Sequence, residues 1–448
     1  MTDPRPDDHA TLERLAALAV QALDEARRLG ATAAEASAHD QRGLDVNVRL
    51  GEVESVERTR DRGLAITVYV GQRKAQASTA DLQPDSLRRT VEMACAIARH
   101  TGEDPANGLA DPDRRAREPR DFDQWHPWAI EADEAIALAI EAEAAGREAD
   151  PRIANSDGAS VSTNAGLSVY ANSHGFVGRE RNTSHSISAS LIAGRGDAMQ
   201  GGYWYTSAIR PEDLEQAAAV GRKAAERTVA RLDPRPAPTG EFPVLFVPEA
   251  ARSLVAHLVG AVSGGALYRK ASFLLGARGE RLFPEWFRIL ERPHLPRGWR
   301  SGDFDADGVA TRESALVEDG VLQRYVLGTY SARRLGMVST GNAGGVHNLE
   351  VASNAEDFDA ILKGMRRGLV VTELMGQGVN TVTGDYSRGA AGFWIEDGAI
   401  VHPVDELTIA SNLREMFLAI EAVGADIDRR SATSVGSVLV GRMTVAGA

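Results

Sequence analysis

The sequence predicts an α+β protein: two N-terminal helix and antiparallel-sheet modules, then a mainly antiparallel β C-terminal domain with a few helices. Before residue 234, short segments with alternating apolar and polar residues lie between amphipathic helices, the pattern of half-buried strands. Beyond residue 300, Asp-Gly pairs separate further alternating runs, as in hairpins. A chain of 448 residues is also too long for one core. We therefore expect three domains, at residues 1–110, 118–232 and 240–448.

The first module is predicted to be a helix, a four-stranded meander and a second helix. The first helix ends at Gly30, which favours a helix C-terminus. Residues 101–120 are rich in Asp, Pro, Gly and Arg without any period, which predicts a linker. The predicted helices span residues 10–29 and 84–99, and the strands 43–51, 53–58, 63–71 and 73–78.

The second module repeats this order of elements, which suggests a duplicated α+β unit. Its sequence shows no residue-level identity to the first module. The predicted helices span residues 130–147 and 211–231, and the strands 160–164, 167–172, 175–184, 186–193 and 203–207.

The C-terminal domain begins after residues 234–240, where three prolines in five residues exclude a helix. Asp307-Gly308, Asp319-Gly320 and Asp397-Gly398 predict hairpin turns, because the favoured two-residue turn needs positive φ. Helices are predicted from Pro248, near residues 355–368 and near residues 412–423. This domain should therefore be largely antiparallel sheet.

Composition limits the class of protein. The net charge of −13 disfavours direct binding to nucleic acid or to an anionic membrane, since both need a basic face. The N-terminus lacks the apolar core of a secretion signal, and no run has the length of a membrane span. The only cysteine, Cys95, excludes an intramolecular disulfide. We expect a cytoplasmic protein.

Two segments resemble one known family. Residues 247–270 read VPEAARSLVAHLVGAVSGGALYRK, and residues 371–394 read VTELMGQGVNTVTGDYSRGAAGFW. They are similar to the TldD/TldE (PmbA) family of modulators of DNA gyrase and peptidases, most closely to the TldE (PmbA) branch, which lacks the metal site. From the residues alone, the first segment is an apolar core helix ending at Gly264-Gly265. His257 would then be an ordinary polar or interface residue.

The resemblance implies which metal ligands are missing. The zinc-bearing sibling carries HExxxH on this helix, and alignment on Val259-Gly260 places its three functional positions on Ala256, His257 and Ala261. The sibling's third ligand, a cysteine, falls within residues 434–436, which read Ser-Val-Gly. A methyl group cannot bind zinc, and histidine lacks the carboxylate that activates water. The resemblance thus implies no catalytic residue, metal or cofactor in this chain.

The family further implies a partner and a substrate. We expect a TldD-like, zinc-bearing subunit to pair with this chain in a heterodimeric cytoplasmic metallopeptidase acting on unfolded or leader peptides. One alternative is a non-enzymatic homodimeric peptide-binding or regulatory protein. Another is a stand-alone metallopeptidase with displaced ligands at His257, His347 and Glu373, which their spacing does not support.

Other residues are candidates for binding a substrate or partner. Tyr268, Arg269, Lys270 and Arg388 could hold a substrate carboxylate or the partner subunit, with Asp385 orienting one of them. Loop-anchoring ion pairs explain these residues equally well.

Glycines and histidines complete the set of candidates. Gly376 and Gly378 lack a nearby Walker lysine, so they favour close backbone or peptide approach over phosphate binding. His347 is a candidate ligand or base, although a lone histidine is more often structural. His174 and His185 could approach each other on adjacent strands, without a carboxylate to complete a site.

Overall fold

The structure is a computed structural model that describes residues 8–117 and 119–447. Its N-terminal half contains a twofold repeat of helix, three strands and helix. These elements are α1 (Asp8–Arg28), β1 (Ala33–Arg49), β2 (Glu52–Val70), β3 (Arg73–Thr79), α2 (Pro84–Ala98), α3 (Ala132–Ala149), β4 (Ile153–Asn172), β5 (Val177–Ala193), β6 (Gln200–Ala208) and α4 (Ala217–Val229).

The two N-terminal modules share one six-stranded sheet of order β3-β2-β1-β4-β5-β6. Strands β1 and β4 pair antiparallel at its centre, so the modules join edge to edge. On one face, residues 34–38 of β1 pack in a core with α1 and α2, whereas residues 44–48 pack in a core with α3 and α4. The long central strands therefore hold both helix pairs, and the predicted α+β class is confirmed.

The predicted four-stranded meander is wrong, because the strands are fewer and longer. Residues 53–58 and 63–71 belong to one strand, β2, and the five segments predicted in the second module form β4, β5 and β6. The predicted gaps at residues 59–62 and 165–166 lie inside the ladder, where Thr59 pairs with Gly43 and Gly166 pairs with Gln41. A strand flanked by neighbours on both sides keeps its hydrogen bonds through such a glycine.

The C-terminal domain contains two sheets and five helices within the described residues. The elements are β7 (Gly240–Phe246), α5 (Pro248–Ala261), α6 (Gly264–Tyr268), β8 (Ile289–Glu291), β9 (Ser314–Glu318), β10 (Val321–Leu322), α7 (Thr329–Arg334), β11 (Leu349–Val351), α8 (Phe358–Gly364), β12 (Arg367–Met375), β13 (Asp385–Glu396), β14 (Ala399–Asn412), α9 (Leu413–Leu418), β15 (Ile420–Val423), β16 (Thr433–Ser434) and β17 (Val438–Ala446).

The larger C-terminal sheet has the order β14-β13-β12-β7-β17-β15, and β14 also pairs with β17. This extra pairing closes the sheet on itself. The smaller sheet has the order β10-β9-β8-β11-β16. A continuous apolar core joins the two sheets to α5, with Trp394, Phe246 and Leu258 among its fully buried members.

Two of the three predicted Asp-Gly hairpins are confirmed. Asp319-Gly320 connects β9 to β10, and Asp397-Gly398 connects β13 to β14, all four residues having positive φ. Asp307-Gly308 instead forms a turn beside an isolated bridge. The Asp305 carboxylate accepts both Asp307 N–H and Val309 N–H, which fixes the turn without flanking strands.

Helix boundaries also differ from the predictions. Helix α5 ends at Ala261, and Ser263 caps the separate helix α6, so the glycine pair starts a helix rather than ending one. Helices α8 and α9 are shorter than predicted, because β12 follows α8 and β15 follows α9. No helix in the described residues is long and apolar enough to cross a membrane.

The N-terminal sheet is clamped to the C-terminal domain through Arg430. Its guanidinium carbon lies 4.0 Å from the centroid of the Trp204 ring, and Nη1 donates to the Tyr205 carbonyl at 2.7 Å. Arg430 also pairs with Asp428 at 2.9 Å and with Glu249 at 3.1 Å. This cluster positions the start of α5 against β6.

Candidate functional site

Helix α5 has one buried face and one open face. Pro248 occupies its first turn, and Leu254, Leu258 and Ala261 are buried in the core. Ala256 and Gly260 are exposed, and a Cβ built on Gly260 would meet no atom within 4 Å. The open face therefore carries only small, chemically inert groups beside free space.

This face does not fit a zinc ion. The residues at the two aligned histidine positions, Ala256 and Ala261, carry methyl groups, which cannot donate a lone pair to zinc. Ala256 is exposed, and Ala261 is fully buried. Gly260 lies one turn after Ala256 and also lacks a donor atom. Neither the aligned positions nor the open face therefore offers a zinc ligand.

The segment aligned with the sibling's cysteine lies against the same helix. Val435 packs in the apolar space under α5 together with Leu254 and Leu258. Ser434, at the end of β16, is half-buried. Within the part of the chain that the structure describes, no three His, Cys, Asp or Glu side chains are grouped so as to hold a metal.

His257 lies at the edge of the open face and contacts strand β13. Its ring lies 6.0 Å from the Tyr386 ring, edge to face, and burial and the positive charge of Arg388 lower the pKa of His257. Burial raises the pKa of Tyr386 to about 12, against the opposing effect of Arg388. A neutral imidazole, a neutral phenol and a guanidinium thus form one cluster.

The glycine loop follows strand β12 and runs beside this cluster. The Ser387 N–H donates to the Gly378 carbonyl at 2.7 Å, and a Cβ at Gly378 would lie 1.8 Å from the Ser387 carbonyl oxygen. Gly376 has a φ of +72°, which disfavours other residues. Gly378 brings backbone against backbone, which is one of the two interpretations of these glycines, whereas a Cβ at Gly376 would meet no atom within 4 Å.

Asp385 lies on the opposite face of β13 from Arg388, because side chains alternate along a strand. Its carboxylate accepts from the Thr383 hydroxyl at 2.6 Å and from Asn412 Nδ2 at 3.4 Å. Of the three basic residues that Asp385 was expected to orient, Arg269, Lys270 and Arg388, the last is therefore excluded. Asp385 anchors the loop before β13.

Tyr268 and Arg269 lie at a different place, at the contact with α7. Tyr268 packs edge to face on Tyr330 at 5.7 Å, and the guanidinium of Arg334 lies over its ring at 5.4 Å. Arg269 also lies over Tyr268. Lys270 is exposed with a φ of +57°. Tyr330 donates to Asp104 at 2.7 Å, so this group borders the N-terminal linker.

His347 belongs to a third group, around the buried Glu291. Glu291 Oε1 accepts from the His347 N–H at 2.6 Å, from Asn342 Nδ2 at 2.8 Å and lies 3.0 Å from His347 Nδ1. Arg324 pairs with the other carboxylate oxygen. Burial raises the pKa of Glu291, but hydrogen bonds from His347 and the charge of Arg324 outweigh it and lower the pKa.

The hypothesis of displaced metal ligands is wrong in this structure. Glu373 pairs with Arg231, His347 with Glu291, and His257 contacts Tyr386. His174 and His185 also remain apart. His174 lies in the turn after β4, whereas His185 pairs with Thr163, nine residues before the end of β4, or roughly 30 Å along the strand.

A cavity between the N-terminal sheet and the C-terminal domain was not predicted. It has a volume of about 650 Å³, and Glu35, Tyr170, Asp305 and His347 contribute to its lining. Burial raises the pKa of Glu35, although the Tyr69 and Tyr170 hydroxyls donate to it, and burial raises the pKa of Asp305 to about 6. No local motif unites these residues, because they come from two domains.

Comparison with known proteins covers all three parts of the chain. Three domain models of the PmbA/TldA metallopeptidase family match this chain. The model of domain 1 matches residues 34–98, that of the central domain residues 125–232, and that of the C-terminal domain residues 239–447. The metalloprotease PmbA of Escherichia coli O157:H7 is 47% identical over 414 residues, covering 92% of each chain.

Solved structures share the fold. A proposed modulator of DNA gyrase from Bacteroides thetaiotaomicron superposes with a TM-score of 0.92 at 27% identity, over 96% of this chain and 98% of that one. TldE from Thermococcus kodakarensis gives a TM-score of 0.84 at 20% identity, over 96% and 100%, which shows the same fold.

Proposed function

This chain belongs to the PmbA/TldD metallopeptidase family, and we propose that it is the subunit of a heterodimeric peptidase that carries no metal site. A TldD-like subunit would hold the zinc and the general base. This chain would complete the cavity and position an unfolded or leader peptide in it. We place this activity in the cytoplasm.

One observation carries the proposal: the open face of α5 has no zinc ligand. The resemblance aligns this helix with the metal-binding helix of the sibling subunit. Here Ala256 and Ala261 occupy the positions of the sibling's two histidines, and His257 stands where the sibling keeps its glutamate. Val435 lines the space beneath the helix with an apolar side chain. The name metalloprotease, carried by the E. coli relative, would then describe the assembly.

Measurement of zinc and peptidase activity on the purified chain, alone and with a zinc-bearing relative from the same source, tests the proposal. We expect no zinc retained by the chain alone and no hydrolysis of an unstructured reporter peptide. Mixing with the relative should give a heterodimer, with activity that chelation abolishes. A relative whose HExxxH glutamate is replaced by glutamine is the matched control and should form an inactive heterodimer.

Two outcomes would contradict the proposal. Peptidase activity of the isolated chain that is lost on chelation would show that it holds its own metal. Stable homodimers that bind the reporter peptide and ignore the zinc-bearing relative would instead support a regulatory peptide-binding protein.

A further inference from the structure

Three buried polar atoms without hydrogen-bond partners lie together at the edge of the open face of α5. They are His257 Nε2, Tyr386 Oη and Arg388 Nε. The described residues contain eight such side-chain atoms, so three of the eight belong to this one cluster. Native proteins leave few buried polar groups unpaired, and a concentration of them marks a place where a partner is missing.

Arg388 carries a charge that no described carboxylate neutralises. It forms no ion pair within residues 8–117 and 119–447, unlike Arg231, Arg324 and Arg430 of the same chain. Carboxylates on β12 and β13 are engaged elsewhere: Glu373 pairs with Arg231, Glu396 pairs with Arg367, and Asp385 lies on the other face of β13. A half-buried guanidinium of this kind is ready to accept an anion from outside the chain.

The other two groups suit an anion as well. Burial and Arg388 disfavour the charged form of His257, so its imidazole can donate one neutral N–H. Tyr386 is 1% exposed and its oxygen faces the Arg388 guanidinium, so the hydroxyl proton remains available to donate, and burial keeps the pKa of Tyr386 high. On the helical wheel Gly260 lies between Ala256 and His257, so free space adjoins the histidine.

We propose that His257, Tyr386 and Arg388 form a receptor for the α-carboxylate of a bound peptide. The inference rests on the proposed function, because that function supplies the peptide. The planar guanidinium would pair with the carboxylate, and the phenol and imidazole would add neutral donors. The small face of Ala256 and Gly260 would leave room for the last residues of the peptide. The chain would thereby bind a peptide by its C-terminal end.

Peptide affinity measured by fluorescence anisotropy tests this receptor. The probe is an N-terminally labelled ten-residue peptide of Gly, Ser and Ala, prepared as the free acid and as the C-terminal amide. We expect the free acid to bind about tenfold more tightly, the size of a charge-assisted hydrogen-bonded contact. A third peptide, an amide with one internal Glu, should bind like the plain amide.

Variants then assign the preference to the cluster. Arg388→Gln should bring the acid-to-amide ratio close to one, and Tyr386→Phe, which keeps the ring packing, should reduce it several-fold. Arg442→Gln is the matched control, because Arg442 lies exposed on β17 of the same sheet and pairs with Glu241 at 2.9 Å. This variant removes the same charge and should leave the ratio unchanged.

The outcomes separate this inference from the proposed function. Equal binding of acid and amide, by the chain alone and by its complex with a zinc-bearing relative, would overturn the receptor even if the complex hydrolyses peptides. So would an acid preference that survives Arg388→Gln, a preference for the internal Glu, or no binding at all. If the chain prefers the free acid but forms no complex with a zinc-bearing relative, the carboxylate receptor would be supported and the proposed heterodimer would be contradicted.

Discussion

Replacing Glu291 with glutamine should destabilise the C-terminal domain more than replacing any exposed acid. The Glu291 side chain is 3% exposed, and its carboxylate accepts from Asn342 and His347 while pairing with Arg324. Glutamine has the same shape, but only one of its two terminal atoms accepts hydrogen bonds. The amide nitrogen would face a donor, and the charge of Arg324, itself 12% exposed, would lose its counter-ion.

The size of the effect follows from the burial of this pair. Removing one partner of a buried ion pair costs about 3–5 kcal/mol, because the remaining charge stays uncompensated. For a domain of about 200 residues, each kcal/mol lowers the melting temperature by about 2–4 °C, so the midpoint should fall on the order of 10 °C. Exposed pairs contribute about 0–1 kcal/mol, so they should barely move it.

The pH dependence should change in a defined direction. The pKa of Glu291 is held below its ordinary value of 4.5, so its contribution to stability is complete above that value. The contribution is lost as the pH falls through the lower folded-state pKa. The melting temperature of Glu291→Gln should therefore fall less steeply in acid than that of the unaltered chain.

Differential scanning calorimetry checks both effects. Scans from about pH 3 to about pH 8 cover the titration of an ordinary carboxyl group and the neutral range. Glu350→Gln is the matched control: Glu350 lies on the neighbouring strand β11, pairs with Arg292 at 2.9 Å, and its side chain is 30% exposed against 3% for Glu291. A loss by Glu291→Gln no larger than that of Glu350→Gln would refute the reasoning.

Three further predictions concern other parts of the fold. Glu143 accepts both N–H groups of the β1–β2 turn at 2.7 Å, so Glu143→Gln should cost about 1–3 kcal/mol and speed amide exchange at that turn. Gly378→Ala should lower the melting temperature because its Cβ meets backbone at 1.8 Å, whereas Gly260→Ala should raise stability by about 0.5–1 kcal/mol. Arg430→Ala should remove the clamp on Trp204 and make residues 233–239 more sensitive to protease; an unchanged cleavage rate would contradict this.

The fold class could be predicted because periodicity is a local property. Alternation marked the strands, and two Asp-Gly pairs marked turns whose φ values are indeed positive. Strand ends were harder to predict, because a glycine in the sequence suggests the end of a strand whether or not the chain turns there. Gly43 shows why: a Cβ there would lie 2.7 Å from Asn164 Oδ1 and 2.8 Å from Thr59 Oγ1, so the glycine makes room for neighbouring strands. That crowding involves residues more than a hundred positions apart.

The candidate site could also be predicted only in part. The motif containing Arg388 was visible in the sequence, and the structure places Arg388 next to His257 as part of one cluster. Tyr268 and Arg269 do not belong to this cluster; they lie at the contact with α7. The Glu291 partner of His347 could not be predicted, because the two residues are 56 positions apart and meet only through the pairing of β8 with β11.

The seam between β1 and β4 limits how the N-terminal half can be divided. The two strands pair over fourteen positions at the centre of the sheet, while 103 residues of chain separate the end of one from the start of the other. A truncation between the modules would leave each fragment with a long, unpaired edge strand, a surface that recruits other chains. Recombinant fragments cut in the linker should therefore aggregate or pair with each other. Residues 1–232 should be expressed, and transferred in protein engineering, as a single unit.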